Sequence, residues 1–360
     1  MCAAERARAA AGMKGKATSF DIAHLAGVSQ PTVSRALRGS PLVSEETRRR
    51  VQSAAEALGY KVDKNASNLR RQHSGTLALL LFEDPTADHS HINPFFLSML
   101  GSITRASAQQ GYDLLISFQQ FSRDWHADFA GCKKADGIIL LGYGDYQSHR
   151  DKLEKLVAQG TRFVRWGAVL PGQPGVSIGC DNFLGGRMVT GHLVEQGCRR
   201  IAFLGDATPH YPEFHERYRG YVEALRAAGL PVDETLRADA ESTERAGYEA
   251  TKTLLARDAA FDALFAASDL IAIGAMRALV EHGLGVPRDV ALAGFDDIPV
   301  ASFVRPALTT VLQDTGRAGE LLVDHLLRLI HGRSAESMML PVELKVRQSS
   351  LRMMRGRRAR

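Results

Sequence analysis

Gln30, Thr32, Ser34 and Arg35 stand within six residues of one another and offer hydrogen-bonding groups of several reaches. The amide and the two hydroxyls donate or accept, and the guanidinium presents a rigid fork of donors able to hold two acceptors at once. That chemistry suits the reading of another molecule's polar edge. The side chains need a firm base, and residues 18–37, TSFDIAHLAGVSQPTVSRAL, supply a helix, a tight turn and a second helix. Thr18 caps the first helix, with Asp21 three residues on completing a capping box. Ile22 and Leu25 form its apolar face, and Ala23 is small enough for a second helix to cross closely. Gly27 falls where the chain turns and where positive φ costs glycine little. Ser29 caps the next helix, and Pro31 is tolerated in its first turn. Val28, Val33 and Leu37 point inward, which leaves Gln30, Thr32, Ser34 and Arg35 outside.

A second helix of this kind enters the major groove in helix-turn-helix proteins, and an arginine there can pair bidentately with guanine. The alternative is an ordinary helical hairpin. A third helix favours the DNA-binding reading: Ser44, Glu45 and Glu46 open it, Val51, Ala54, Ala55 and Leu58 line one face, and Gly59 ends it.

Charge is distributed as a DNA binder requires. Residues 1–75 carry 13 Lys/Arg against 6 Asp/Glu, and residues 345–360 carry 7 basic residues and no acidic ones. Residues 76–344 hold 25 basic and 34 acidic residues, so the net charge of +5 hides a basic head, an acidic body and a basic tail. Lys and Arg supply most non-specific DNA affinity by neutralising phosphates, so the head is the expected contact surface. The tail, RMMRGRRAR, reads as a solvated end rather than a second DNA site.

The 360 residues have room for the headpiece and about two further domains. No apolar run approaches the roughly 18 residues of a membrane span. Residues 1–16 are rich in Ala and Arg without a sustained hydrophobic stretch, which predicts a disordered extension and no secretory signal, with Met13 a second possible start. Cys2, Cys132, Cys180 and Cys198 are widely spaced, which fits reduced thiols in the cytoplasm and neither a disulfide framework nor a zinc site.

From residue 76 short apolar runs alternate with amphipathic helices. Strands are expected at 76–82, 113–118, 137–141 and 162–166, with helices at 95–111, 124–134 and 152–159 between them. The rhythm restarts with helices at 182–196, 216–228, 243–256 and 270–283 and strands at 200–205, 263–267 and 290–295. This βαβ pattern implies parallel sheets covered on both faces. Two open α/β units in series then enclose a cleft, with ligand bound outside the carboxyl ends of the strands. The fold class is α/β, an all-α helix-turn-helix headpiece followed by a bilobed body of two parallel-sheet subdomains.

The chain resembles the LacI/GalR family of bacterial transcription regulators from residue 17 to about residue 351. DIAHLAGVSQPTVSRAL, VSEETRRRV, INPFF, DNFLGGR, RIAFLGD, RYRGYVEAL, FAASDLIAIGAMRALVEHGLGVPRDVALAGFDDI and PALTTVLQD carry the likeness. The resemblance implies a cytoplasmic homodimer on a palindromic double-stranded operator, with a body like the periplasmic sugar-binding proteins. The expected organisation is an extension at 1–16, a DNA-binding domain at 17–60, a hinge at 61–75, an effector-binding and dimerisation body at 76–351 and a basic tail at 352–360. The expected DNA-contacting set is Thr18, Ser29, Gln30, Pro31, Thr32, Ser34 and Arg35, with Ala66, Leu69 and Arg70 in the hinge. By resemblance Leu69 wedges into the minor groove and kinks the duplex; alternatively it packs on the body. Val62 and Asp63 replace the family's usual Pro-Asn, and Ser67 replaces Arg or Gln.

The resemblance also assigns an effector set: Asn93, Phe95 and Phe96 after the first strand, Arg217, Ser268, Asp269, Asp296 and Gln313, to which Trp166 is added as an aromatic at the cleft that suggests sugar stacking. Aromatic faces suit a sugar's C–H surface, and carboxylates accept its hydroxyl hydrogens. Asp269 could instead cap the following helix, and Phe96 and Trp166 could be core. Ser268 departs from a frequent Asn, and Trp166-Gly167 from a frequent Asp-Arg. The implied effector is a mono- or disaccharide, with a purine co-repressor as the alternative and an exported sugar-binding transport protein as the alternative of a different class. No catalytic residue, cofactor or metal is expected. GYGDY lacks the third glycine of a dinucleotide fingerprint, and His210 and His215 are too isolated for a metal.

Overall fold

The computed structural model describes residues 17–37, 39–60, 73–82, 92–142, 146–257 and 260–352. The chain divides between residues 72 and 73 into two units.

The first unit is a three-helix headpiece: α1 Ser19–Ala26, α2 Gln30–Leu37 and α3 Glu45–Ala57. The capping box forms as read, with Thr18 N–H donating to Asp21 Oδ2 at 2.7 Å and Asp21 N–H to Thr18 Oγ1 at 3.4 Å. The Thr18 hydroxyl, which donates to Asp21 Oδ2 at 2.7 Å, and then the Thr18 N–H hold the Asp21 carboxyl below its usual range. Gly27 ends α1 at φ 64°, and Arg50 donates to the Ala26 carbonyl at 3.1 Å. Ile22, Ala23, Val33, Ala36, Val51 and Ala54 make the core, a small one that needs all three helices to close.

The second unit is the body. Among its described residues the first sheet contains β1 Thr76–Leu81, β2 Asp113–Phe118, β3 Gly137–Leu141, β4 Phe163–Trp166, β5 Val176–Cys180 and β11 Met338–Leu340. Their order is β11-β5-β4-β3-β1-β2, every pairing parallel. Leu77, Leu79 and Leu81 pack on one face with Ile139 and Leu141, and Ala78 and Leu80 on the other with Ile138 and Leu140. Both faces are covered, which is why TLALLL and GIILL read as continuous apolar runs. Helices α4 Pro94–Gln109 and α10 Thr315–Ile330 cover the first face. α5 Tyr146–Ala158 contributes Leu153 and Leu156 to the second. The second sheet has β6 Ile201–Leu204, β7 Arg237–Ala238, β8 Ala263–Ala266 and β9 Ala291–Ala293 in the order β7-β6-β8-β9, again all parallel. Around it lie α6 Asn182–Glu195, α7 Pro212–Ala227, α8 Glu244–Ala256 and α9 Asp269–Glu281. β10 Thr310–Gln313 and β12 Val342–Lys345 form an antiparallel pair.

Three expectations need correction. The two lobes of the body do not follow in series: α10 packs on α4 and β11 pairs with β5, so residues 315–340 return to the first lobe. The helix expected at 124–134 is a single wide turn, His126–Gly131, seated by Phe129 and Trp125 against the sheet. The strand at 176–180 was not anticipated. His73, Ser74 and Gly75, the end of the expected hinge, lie with the body: Ser74 N–H donates to Asp136 Oδ1 at 2.6 Å and Gly75 N–H to Oδ2 at 2.9 Å.

Candidate functional site

On the headpiece the second helix turns a mixed polar face outward. Pro31 and Arg35 are exposed, and Gln30, Thr32 and Ser34 are partly covered. Ser29 accepts from Thr32 N–H at 3.4 Å and bonds the Thr32 hydroxyl at 2.8 Å, while Gln30 Nε2 donates to Ser19 Oγ at 3.3 Å. Val33 and Ala36 anchor the opposite side of the helix in the core. The face therefore presents an exposed guanidinium beside hydroxyls that are already oriented. Ala66, Leu69 and Arg70 lie outside the described residues.

The body's polar centre forms where the strands of the second sheet end. Arg217, on α7, is fully buried. Its Nε donates to Asn182 Oδ1 at 2.8 Å, and its Nη1 donates to the Ala267 carbonyl and lies 3.5 Å from Asp296 Oδ1. The guanidinium also lies over Phe295, 3.8 Å from the ring centroid. Gln313 Nε2 donates to the same Asp296 oxygen at 2.6 Å. Asp296 holds φ at 118°, a region that disfavours any side chain; such strain costs about 1–3 kcal/mol and collects at functional sites. Its N–H donates to the Val311 carbonyl at 2.8 Å, which fixes the conformation.

A close helix crossing makes this centre possible. A Cβ on Gly186 would strike the Arg217 carbonyl, and one on Gly220 the Phe183 carbonyl. Their absence lets α6 and α7 approach until Asn182 meets Arg217.

The other expected effector residues are placed differently. Asn93 caps α4 and donates from Nδ2 to Ser242 Oγ at 3.2 Å, and Ser242 donates to Ser268 Oγ at 2.9 Å. That chain joins the two lobes. Ser268 also caps α9, accepting from Ile271 N–H. The Asp269 carboxyl is fully buried and accepts from Thr310 Oγ1 at 2.5 Å and Ile298 N–H at 2.9 Å. Burial, then the neighbouring Asp296 charge, push it well above the usual carboxyl range. Phe95 and Phe96 are buried, edge to face at 5.2 Å, with Phe95 5.9 Å from Trp166.

Four further residues at this place were not singled out in the sequence. Glu213 Oε1 accepts from Ala168 N–H at 2.7 Å, a second tie between the lobes. Arg165 is buried, donates from Nε to Ser177 Oγ at 2.7 Å and from Nη2 to the Ala168 carbonyl at 3.3 Å, and lies over the Tyr146 ring. Burial lowers its guanidinium's affinity for the proton and Glu213 raises it. Asn182 and Ser242, already met as partners of Arg217 and Asn93, are buried polar groups as well. The signal for Glu213 was its spacing four residues before Arg217, which puts both on one helical face. A pocket of about 50 Å³ opens beside Arg165 and Glu213, with Tyr146, Trp125, His149 and Trp166 also in its wall. At roughly 10–15 Å³ per water-sized site it accommodates a few hydroxyl groups.

Among the described residues no group of three or more His, Cys, Asp or Glu is placed to hold a metal, and no helix is long and apolar enough to cross a membrane.

Residues 20–63 match the model of the bacterial regulatory proteins, lacI family, and residues 190–350 that of a periplasmic binding protein-like domain. The transcriptional regulator CelR of Thermobifida fusca is 34% identical over 336 residues, covering 91% of this chain and 96% of CelR. The ribose operon repressor of Escherichia coli K12 is 30% identical over 319 residues, 87% of this chain and 93% of the repressor. Among solved structures, a CelR–cellobiose complex aligns with TM-score 0.68 and 33% identity, covering 92% of this chain and 99% of that one. The lac repressor dimer bound to operator and the anti-inducer ONPF aligns with TM-score 0.80 and 26% identity, covering 94% and 100%. With an exposed second helix in the headpiece and a bilobed parallel-sheet body following it in sequence, the chain belongs to the LacI family of DNA-binding bacterial transcription regulators.

Proposed function

We propose that the protein is a cytoplasmic homodimeric repressor of carbohydrate uptake or catabolism genes, released from a palindromic operator by a sugar held between its lobes. The observation that carries this reading is the convergence of Arg217, Asn182, Asp296 and Gln313 at the carboxyl ends of a parallel sheet, where such folds bind ligands. Relatives seen or named with cellobiose and ribose support a carbohydrate. The body acts by binding and not by catalysis. Thr18, Ser29, Gln30, Pro31, Thr32, Ser34 and Arg35 meet the DNA. Residues 61–72 form the hinge, where Leu69 wedges between bases beside Ala66 and Arg70.

Thermal-shift screening of cellobiose, ribose, galactose and hypoxanthine, followed by operator gel shift, tests the proposal. A ligand that prefers the folded state raises its apparent stability. The expected outcome is a sugar that raises the melting temperature and weakens operator binding. By linkage, operator must weaken sugar binding by the same factor. Equal sugar affinity with and without operator overturns the coupling, and a response to hypoxanthine alone replaces the sugar with a purine.

A further inference from the structure

We propose that the cleft selects an uncharged polyhydroxylated effector and rejects its phosphate ester, because each of the two buried arginines beside it already has a carboxylate close by. This rests on the carbohydrate reading and narrows it to one chemical class.

The first support is the pairing itself. Arg217 Nη1 stands 3.5 Å from Asp296 Oδ1 with both side chains closed to solvent. Arg165 and Glu213 converge on Gly167: a Cβ there would lie 2.9 Å from Glu213 Oε1 and 3.6 Å from Arg165 Nη1. The two cations and two carboxylates cancel. A phosphate dianion entering so dry a place would be an uncompensated buried charge, which is far more costly than burying hydroxyls that find partners.

Helix ends give the second support. The N-terminus of a helix ordinarily attracts anions through its free N–H groups and its dipole. Each described α-helix of the second lobe carries its own acidic side chain there instead: Asp181 caps α6, and Glu213, Glu244 and Asp269 occupy the first turns of α7, α8 and α9. Asp181 already accepts the Leu184 N–H at 2.8 Å.

The third is the sheet edge. Because every strand of the second sheet runs parallel, their carboxyl ends share one edge. Asp206 follows β6, Asp239 and Glu241 follow β7, Asp269 follows β8, and Asp296 and Asp297 follow β9. Arg347 offsets Asp297 at 2.7 Å. The remaining field is negative toward an approaching ligand, and clefts focus such fields.

Calorimetry on the full-length protein at pH 8 tests the proposal with cellobiose, glucose and ribose against their terminal phosphate esters. Each sugar that binds is expected to bind at least about tenfold tighter than its own ester, a difference of about 1.4 kcal/mol. Glu213→Gln keeps an acceptor for the Ala168 N–H but removes the charge opposite Arg165. In this variant the preference should shrink or reverse, and inorganic phosphate should raise its melting temperature while leaving the parent's unchanged. Adding Arg165→Gln to Glu213→Gln should abolish that phosphate response. An ester that binds the parent as tightly as its sugar overturns the selection while the carbohydrate reading stands. A folded Glu213→Gln protein, judged by circular dichroism, with no phosphate response overturns the role of the Arg165–Glu213 pair. Failure of every sugar in both forms removes the carbohydrate reading, and this inference with it.

Discussion

Arg217 Nη1 lies 3.5 Å from Asp296 Oδ1, and neither side chain reaches solvent. Removing one member of a buried pair strands the other, at about 3–5 kcal/mol. Asp296→Ala should therefore lose stability as well as effector response. Asp296→Asn keeps an acceptor for Gln313 and should lose the response with a smaller stability loss and unchanged operator affinity. Urea unfolding and gel shift of both variants check this; an alanine variant as stable as the parent would remove the pair from the energetics.

Asp269 makes a pH prediction with a definite sign. Its folded carboxyl is raised well above 3.8, first by burial and then by Asp296, so between those two values the folded state binds the extra proton. The stability it contributes is fully present below about pH 3.8 and is lost as pH rises through the raised folded value. Asp269→Asn can donate to Thr310 Oγ1 and accept from Ile298 N–H. It should flatten the fall in stability over that window in denaturation curves taken at several pH values.

Arg35 is exposed on the recognition helix while Val33 and Ala36 hold that helix in place. Arg35→Ala should therefore leave the headpiece folded and cost about 1–3 kcal/mol of discrimination, with weak, salt-sensitive binding retained. Unchanged selectivity in a competition gel shift would refute the assignment.

The cysteines should differ in reactivity. Cys180 is buried and its thiol is pushed up to about 12, chiefly by burial; Cys198 is buried and raised as well, whereas Cys132 is exposed. Thiolates are the reactive form. Peptide mapping after brief iodoacetamide treatment should find Cys132 modified, with Cys180 and Cys198 modified only after unfolding.

Most elements were legible because their signals are local. The Thr18–Asp21 box, the runs TLALLL and GIILL and the break at Gly27 each act within a few residues. β5 was hidden because Gly179, whose missing side chain leaves room for the Gly167 carbonyl, interrupts a short apolar run. The apolar stripe and Asp314 cap of α10 were present in the sequence, but its destination was not, since only contacts with α4 place it in the first lobe. The cleft shows the same division. Arg217, Asp296 and Gln313 follow from motifs, whereas Glu213 and Arg165 meet at Gly167 only once two lobes distant in sequence are brought together. Asp269 looked like a ligand by type and position, yet Thr310 and Ile298 take its two oxygens.

The return of residues 315–340 to the first sheet imposes an order on biosynthesis. The headpiece and nearly all of the second lobe are contiguous, so each can collapse as soon as its own segment has left the ribosome. The first lobe is in a different position: its edge strand β11 and covering helix α10 are made almost last. Until they arrive, β5 lacks a neighbour on one side and the apolar face of α4 lacks its cover, a template for mispairing with another nascent chain. The operator-reading unit is thus complete well before the body that regulates it.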